Sequence, residues 1–337
     1  MQLTQIEYII VLIVTVALHH ALWRYKACRR LLLLVVSLYF FAYWDVRLIP
    51  LLIGYVLVGW LTGVLLPKIL NEKYRKILLT CSITFFIVLL GIFKYANFFL
   101  DSLHPLIECI GWKVGTLKWT LPLGISFFTF QSISYVVDVS RKHELQMGIL
   151  DYALYICFFP KLTAGPLIRC EEFSKQLDSN SKINSDDLYE GVQLFIFGLF
   201  KKIFIADRLA DFIDNVFMNH LVYSGGTLWL AALAYSVYLY CDFSGYSDMA
   251  IGSSRLLGIK IEDNFNWPYL SRNITEFWRR WHISLSLWLR DYLYIPLGGN
   301  RKGIVRSYAN QIVTMLLGGL WHGANITFII WGGECMA

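Results

Sequence analysis

Apolar residues dominate the first third of the chain in four uninterrupted runs, Ile6–Trp23, Leu31–Tyr43, Leu48–Leu66 and Ile77–Phe93. A bilayer core about 30 Å thick takes roughly 20 helical residues to cross. The runs therefore predict membrane helices, the second being short enough to tilt or to sit partly in the interface. Beyond Lys118 the pattern changes. Pro122 and Gly124 open the run to Asp138; Pro160, Lys161, Gly165 and Pro166 break the next; Gly245 lies within Asp242–Asp248. Irregular backbone at membrane depth is tolerated only where protein or water satisfies its polar groups. This half is expected to enclose a cavity or funnel with re-entrant segments around it. Glu190–Ala206 and Leu228–Tyr240 are read as further helices, and the polar stretch Cys170–Asp187 as an aqueous loop.

Composition supports a membrane protein. Of 337 residues, 57% are hydrophobic and only 16% charged, with a mean hydropathy of +0.52, well outside the profile of a soluble domain. The expected fold class is an all-α polytopic helix bundle with re-entrant and interfacial helices around a central funnel. One membrane-embedded domain over residues 1–337 is expected, with N-terminal transmembrane helices in 1–118 and a core of interrupted helices in 119–337. No basic n-region precedes the first run and no small-residue cleavage site follows it, so the first helix is expected to stay. Basic residues gather at Arg24, Lys26, Arg29 and Arg30, and again at Lys68, Lys73, Arg75 and Lys76. The positive-inside rule makes both clusters cytoplasmic and places the N-terminus and Asp101–Lys118 outside.

The net charge of +6 sits mainly at helix ends. It suits anionic lipid headgroups and argues against nucleic acid as a partner. Seven cysteines, scattered and without a Cys-x-x-Cys pair, give neither a disulfide framework nor a metal site. The sequons at Asn273 and Asn325 are of a kind that arises by chance. No internal repeat is visible.

Two stretches carry candidate chemistry. In Gln311–Asn325 a single imidazole, His322, sits among residues suited to lipid or packed helices. Ionisable groups are costly there and usually face a bundle interior or wet cavity. Helical spacing puts Gly318 and Gly319 at i−4 and i−3 and Asn325 at i+3, so the ring would overlie a groove with little side-chain bulk. Small-residue helix packing would explain the glycines but not the buried imidazole, so a functional reading leads.

The second stretch, Glu276–Asp291, reads as one helix, with Asn273 or Thr275 as N-cap and Glu276 in its first turn. Trp278, Trp281, Leu285, Trp288 and Tyr292 make an aromatic stripe, taken as structural. Arg279, His282, Ser286 and Arg290 fall on a neighbouring polar arc. The arginines suit phosphate or an acidic headgroup. The spacing leaves open whether His282 contacts substrate or only shares their arc. Asp242 and Asp248 lie on different faces of a continuous helix and pair only if Gly245 breaks it; they are ranked as structural or cavity-polarity residues. Gly298–Gly303 matches no Walker or Rossmann spacing and reads as a surface turn.

Together, Leu121–Gln131, Phe158–Pro166, Asp242–Asp248, Glu276–Gly299 and Gly318–Ala324 resemble the motifs of the membrane-bound O-acyltransferases, in the branch of the alginate O-acetylases. The resemblance covers roughly Leu121 to Gly332; the N-terminal helices match only in hydropathy. It implies a helix bundle around a funnel, in which an acyl group from a cytoplasmic thioester meets an extracytoplasmic acceptor in a bacterial inner membrane. His322 then matches the family's invariant histidine and His282 its second typical one. The donor would be acetyl-CoA or another acyl thioester, a substrate and not a bound cofactor. Partners would be membrane lipids and a polysaccharide or a periplasmic acetyl-transfer protein. The family pattern continues with further hydrophobic helices where this chain ends, so a truncated form is expected. On these implied roles His322 and His282 are the catalytic candidates, and Arg279, Arg290, Asn325, Gly318 and Gly319 the substrate-binding ones. A transporter or flippase would also use interrupted helices and midplane polar groups; the missing second copy of either histidine segment separates the two readings.

Overall fold

The computed structural model describes residues 1–109, 121–179, 183–323 and 325–334. Among these residues the regular structure is helical throughout, and no strand occurs. The helices are α1 (Ile6–Ala21), α2 (Lys26–Asp45), α3 (Ile49–Leu65), α4 (Glu72–Cys109), α5 (Ile125–Arg141), α6 (Ile149–Cys157) and α7 (Cys170–Asp178). They continue as α8 (Ser185–Phe200), α9 (Asp207–Met218), α10 (Gly225–Leu256), α11 (Ile274–Arg280), α12 (Ile283–Leu289), α13 (Ile304–His322) and α14 (Ile326–Glu334). Two stretches, Lys26–Lys68 and Glu72–Leu100, are long and apolar enough to cross a membrane by length and composition. The N-terminal apolar runs thus sit on α1 to α4, and the second run extends into a helix of 20 residues. Of the segment Asp101–Lys118, residues 110–118 lie outside the described residues.

The chain divides into two compact units, one of Met1–Val46 with Ala153–Trp267, the other of Arg47–Tyr152 with Pro268–Ala337. In the first unit, α8 and α10 run antiparallel and close together because glycines face each other across them. A Cβ on Gly245 would lie 2.7 Å from the Gly198 carbonyl oxygen, and one on Gly252 2.6 Å from that of Gly191. Small residues let helix backbones approach closely. Gly245 therefore does not interrupt its helix: α10 continues through it to Leu256. Asp242 and Asp248 remain apart on that helix. Asp242 accepts a 2.6 Å hydrogen bond from Lys202 and Asp248 pairs with Lys201. Both lysines belong to a π-helical turn, Lys201–Ala206, that follows α8. Tyr8, Phe40, Phe159 and Phe195 meet in the aromatic core of this unit.

Cys170–Asp187 is not a single loop. Its first half forms α7, which buries Cys170 and Phe173, while α8 starts at Ser185 with Asn184 as its cap. The three-residue step between Cys170 and Phe173 is the apolar face of a short helix, outweighed in the sequence by charged neighbours.

In the second unit, Gly59 and Gly63 on α3 leave room for the rings of Tyr152 and Tyr135. The Tyr55 hydroxyl donates to the Phe86 carbonyl at 3.1 Å and lies 2.9 Å from the Thr129 hydroxyl, tying α3, α4 and α5 together. This bundle carries the elements described next.

Candidate active site

The segment read as one helix from Glu276 to Asp291 is two. Asn273 caps α11, its side-chain oxygen accepting from the Glu276 N–H at 2.8 Å. The helix then stops at Arg280, Trp281 is extended, and His282 adopts φ 44°, ψ 54°, in the left-handed region. A side chain with a Cβ pays roughly 1–2 kcal/mol for that conformation. The His282 carbonyl accepts from the N–H groups of Leu285 and Ser286, both at 3.1 Å, and so begins α12. From Arg290 to Tyr294 the coil widens into a π-helical turn.

Packing sets this break. The Trp281 ring stacks on Phe277 at 5.6 Å, and the Trp288 ring stacks on Phe130 of α5 at 4.0 Å. Trp288 also donates its indole N–H to the Phe130 carbonyl at 3.0 Å. On its other side Phe130 stacks on Trp321 at 5.5 Å. One turn beyond Trp288, the Tyr292 hydroxyl donates to Asp138 at 2.6 Å. Most of the aromatic stripe is thus structural, with Trp281 and Trp288 both buried. Three members of the stripe, Trp278, Trp281 and Leu285, also line the cavity.

That cavity, about 570 Å³, lies among α11, α12, the π-helical turn and α13, wholly within the second unit. His282 and His322 line it with Arg279, Arg290, Gly318 and Gly319, joined by Ser286, Gln311 and Thr314. His282 is 2% exposed, whereas His322 at the end of α13 is exposed on the cavity side. Both imidazoles approach Trp321, with ring centroids 6.1 Å away for His282 and 4.8 Å for His322. Among the described residues no aspartate or glutamate lines the cavity. Arg290 is already engaged, its Nε 2.7 Å from Asp291. Arg279 is exposed and makes no ion pair among the described residues, so it is the cation available to an anionic ligand.

The two glycines play different parts. A Cβ on Gly318 would make ordinary contact with Leu289 at 3.5 Å. One on Gly319 would strike the Phe328 carbonyl oxygen and come within 3.1 Å of the Gly332 backbone. Gly319 thus seats α14 against α13, which is the packing role that small residues serve between helices. The expected helical continuation to Asn325 does not occur. Gly323 is extended and α13 ends at His322, so Asn325 is not among the cavity-lining residues. Its side-chain oxygen accepts from the Thr327 N–H and hydroxyl, each at 3.0 Å, and caps α14.

Lys94 was missed in the sequence pattern. It directly follows the apolar run ending at Phe93, and its ammonium donates to the carbonyl of Trp321 and to the Ser126 hydroxyl at 3.2 Å. Beside it the Tyr95 hydroxyl donates to the Leu320 carbonyl at 2.8 Å. The last carbonyls of a helix have no intrahelical partner; here α4 supplies two and fixes the end of α13 where His322 stands. A lone lysine at the edge of an apolar run is itself a signal for such a role.

The model of the MBOAT, membrane-bound O-acyltransferase, family matches residues 140–334. The chain is 46% identical over 307 residues to a probable alginate O-acetylase, AlgI, of Pseudomonas putida, covering 90% of this chain and 63% of that protein. It is 40% identical over 332 residues to a peptidoglycan O-acetyltransferase of Helicobacter pylori, covering 90% and 62%. Similarity extends to a teichoic acid D-alanyltransferase of Bacillus subtilis, at 34% over 226 residues, 62% of this chain and 56% of that one. The chain spans less than two thirds of the length of each of these relatives.

Proposed function

The chain belongs to the membrane-bound O-acyltransferase family, and on that premise we propose that it serves transfer of an acyl group, acetyl by preference, from a thioester donor to a hydroxyl of an envelope or exported polysaccharide. The observation that carries this reading is the cavity that His322 and His282 line together with Arg279, a cation with no ion pair, and with no lining carboxylate, among the described residues. Acyl transfer needs a base for the acceptor hydroxyl and a cation for an anionic donor, and this cavity offers both. Two of the relatives above are named for O-acetyl transfer and one for D-alanyl transfer, which supports an acyl donor and an envelope acceptor.

In the proposed step, an imidazole nitrogen of His322 takes the hydroxyl proton as the acceptor oxygen bonds to the thioester carbonyl carbon. The carbon–sulfur bond then breaks, and the proton passes to the departing thiolate. Imidazole suits this exchange because the neutral ring can accept a proton and return it. Positioned proton transfer contributes about 10²–10⁴-fold. The exposure of His322 in the cavity fits contact with reactants. Burial of His282 beside Trp321 fits a hydrogen-bonding role toward the carbonyl oxygen, and Arg279 is placed to hold a phosphate of a coenzyme A donor.

The surroundings of this chemistry are read as a bacterial inner membrane crossed several times, with both basic clusters on the cytoplasmic side. Donor access is then cytoplasmic and the acceptor, or a periplasmic protein that relays the acyl group to it, lies outside. Membranes carrying the chain, supplied with radiolabelled acetyl-CoA and isolated envelope glycan, are expected to yield alkali-labile labelled ester. Label that stays in coenzyme A or free acetate would refute the reading.

A further inference from the structure

Within the first unit a small cleft of about 40 Å³ lies between the end of α1, the start of α2 and the end of α7, lined by His19, Trp23, Lys26, Arg29, Arg30 and Gln176 among others. Arg29 is only 8% exposed, with its guanidinium carbon 4.2 Å from the centre of the Trp23 ring. Its Nε has no hydrogen-bond partner, and no carboxylate pairs with it among the described residues. His19 is 3% exposed, and its Nδ1 is also without a partner there. The nearby cations are already committed. Arg30 pairs with Asp178 at 2.5 Å, and Lys26 donates to the Asp178 carbonyl at 2.8 Å.

A guanidinium cannot shed its proton in a protein, and a buried charge without a counter-charge is strongly disfavoured. Arg29 therefore calls for an anion that the described residues do not supply. We propose that this cleft binds the phosphate of an anionic phospholipid headgroup. Its size fits: a single water needs roughly 10–15 Å³ on this measure, so the cleft admits a phosphate group and excludes a nucleotide. The planar guanidinium presents paired donors to phosphate oxygens, and His19 can add a third. The cleft's setting selects a lipid over a soluble phosphate. Leu18 and Leu31, next in the chain to the cleft residues His19 and Arg30, are 46% and 54% exposed, and Trp23 and Tyr25 lie in the turn between α1 and α2. Apolar helix flanks meeting basic and aromatic residues mark a membrane boundary. The choice of a lipid rests on the membrane reading given above; the demand for a phosphate-like anion does not.

The test uses the purified chain in detergent with equal trace amounts of phosphatidylglycerol and phosphatidylcholine, read by native mass spectrometry. One phosphatidylglycerol per chain is expected to be retained about tenfold in preference to phosphatidylcholine. Arg29→Met should erase that preference, the loss expected for a charge-assisted hydrogen bond. Lys73→Met, in the other basic cluster, should leave it intact. Should Arg29→Met fail to fold, Lys26→Met at the same cleft should weaken retention several-fold. A second arm measures binding of radiolabelled inorganic phosphate to the delipidated chain. Arg29-dependent phosphate binding without lipid preference would overturn the lipid assignment and place a soluble phosphate here. Equal retention of both lipids with no phosphate binding would overturn the site altogether. The phosphate arm needs no bilayer, so it separates failure of this site from failure of the membrane reading.

Discussion

Lys94, on α4, donates its ammonium hydrogen to the backbone carbonyl of Trp321, the residue that precedes His322. The contact holds the C-terminal turn of α13 from a helix more than 200 positions away in the chain. It makes Lys94 a positioning residue for the imidazole, since cations near a helix C-terminus satisfy its orphan carbonyls.

Lys94→Met is accordingly expected to lower kcat for acetyl transfer by about tenfold or more while leaving KM for the donor nearly unchanged, because the interaction serves geometry at the reacting centre. Lys94→Arg should recover part of the loss. Steady-state kinetics in membranes would check this, and an unchanged kcat in Lys94→Met would remove the positioning role.

The left-handed backbone at His282 predicts a separation of stability from activity. His282→Gly and His282→Ala both lose the imidazole, but only glycine is at ease at φ 44°. The glycine variant should be more stable than the alanine variant by about 1 kcal/mol, with acetyl transfer strongly reduced in both. Thermal unfolding in detergent would show it; equal stability would mean that the segment relaxes out of this conformation.

Gly318→Ala and Gly319→Ala should differ as their surroundings do. At Gly319 the new methyl meets backbone of α14 that cannot step aside, and destabilisation of about 1–3 kcal/mol is expected. At Gly318 the neighbour is the end of the Leu289 side chain at 3.5 Å, so folding should be preserved while the cavity loses space for substrate. A rise in KM with normal unfolding for Gly318→Ala, and early unfolding for Gly319→Ala, are the outcomes that count.

Much of this was legible in the sequence. The apolar runs located α1 to α4, and the polar arc named residues that do line one cavity, even though the single helix it assumed is broken at Trp281 and His282. That break carries no proline or glycine to announce it. It follows from Trp281 stacking on Phe277 and Trp288 docking on Phe130, contacts that only the folded chain creates. For the same reason Asn325 was placed one turn beyond His322: Gly323 was counted as helix, whereas it is where the helix stops. Gly245 led the other way, its glycine suggesting a break when its purpose is to admit α8. Lys94 is the case where a local signal, one charge at the end of an apolar run, was present and unused.

One acid-sensitivity follows from the polar start of α8. Lys260 and Arg255, bonded to Asp187 at 2.8 Å and 3.3 Å, hold its carboxyl below the usual range. A depressed carboxylate stabilises the fold fully above its unfolded pKa of about 3.9 and loses that contribution as pH falls through the lower folded value. Asp187→Asn should therefore lower stability at neutral pH and flatten the fall in stability below about pH 4. Unfolding midpoints across that interval would reveal a parallel, unflattened curve if the pairing contributes nothing.

The most direct measurement is transfer of labelled acetyl from acetyl-CoA to glycan by membranes carrying the chain or its His322→Ala variant at matched levels of folded protein. The account predicts labelled ester from the former and a loss of at least about a hundredfold in the variant. Undiminished transfer by His322→Ala would contradict it.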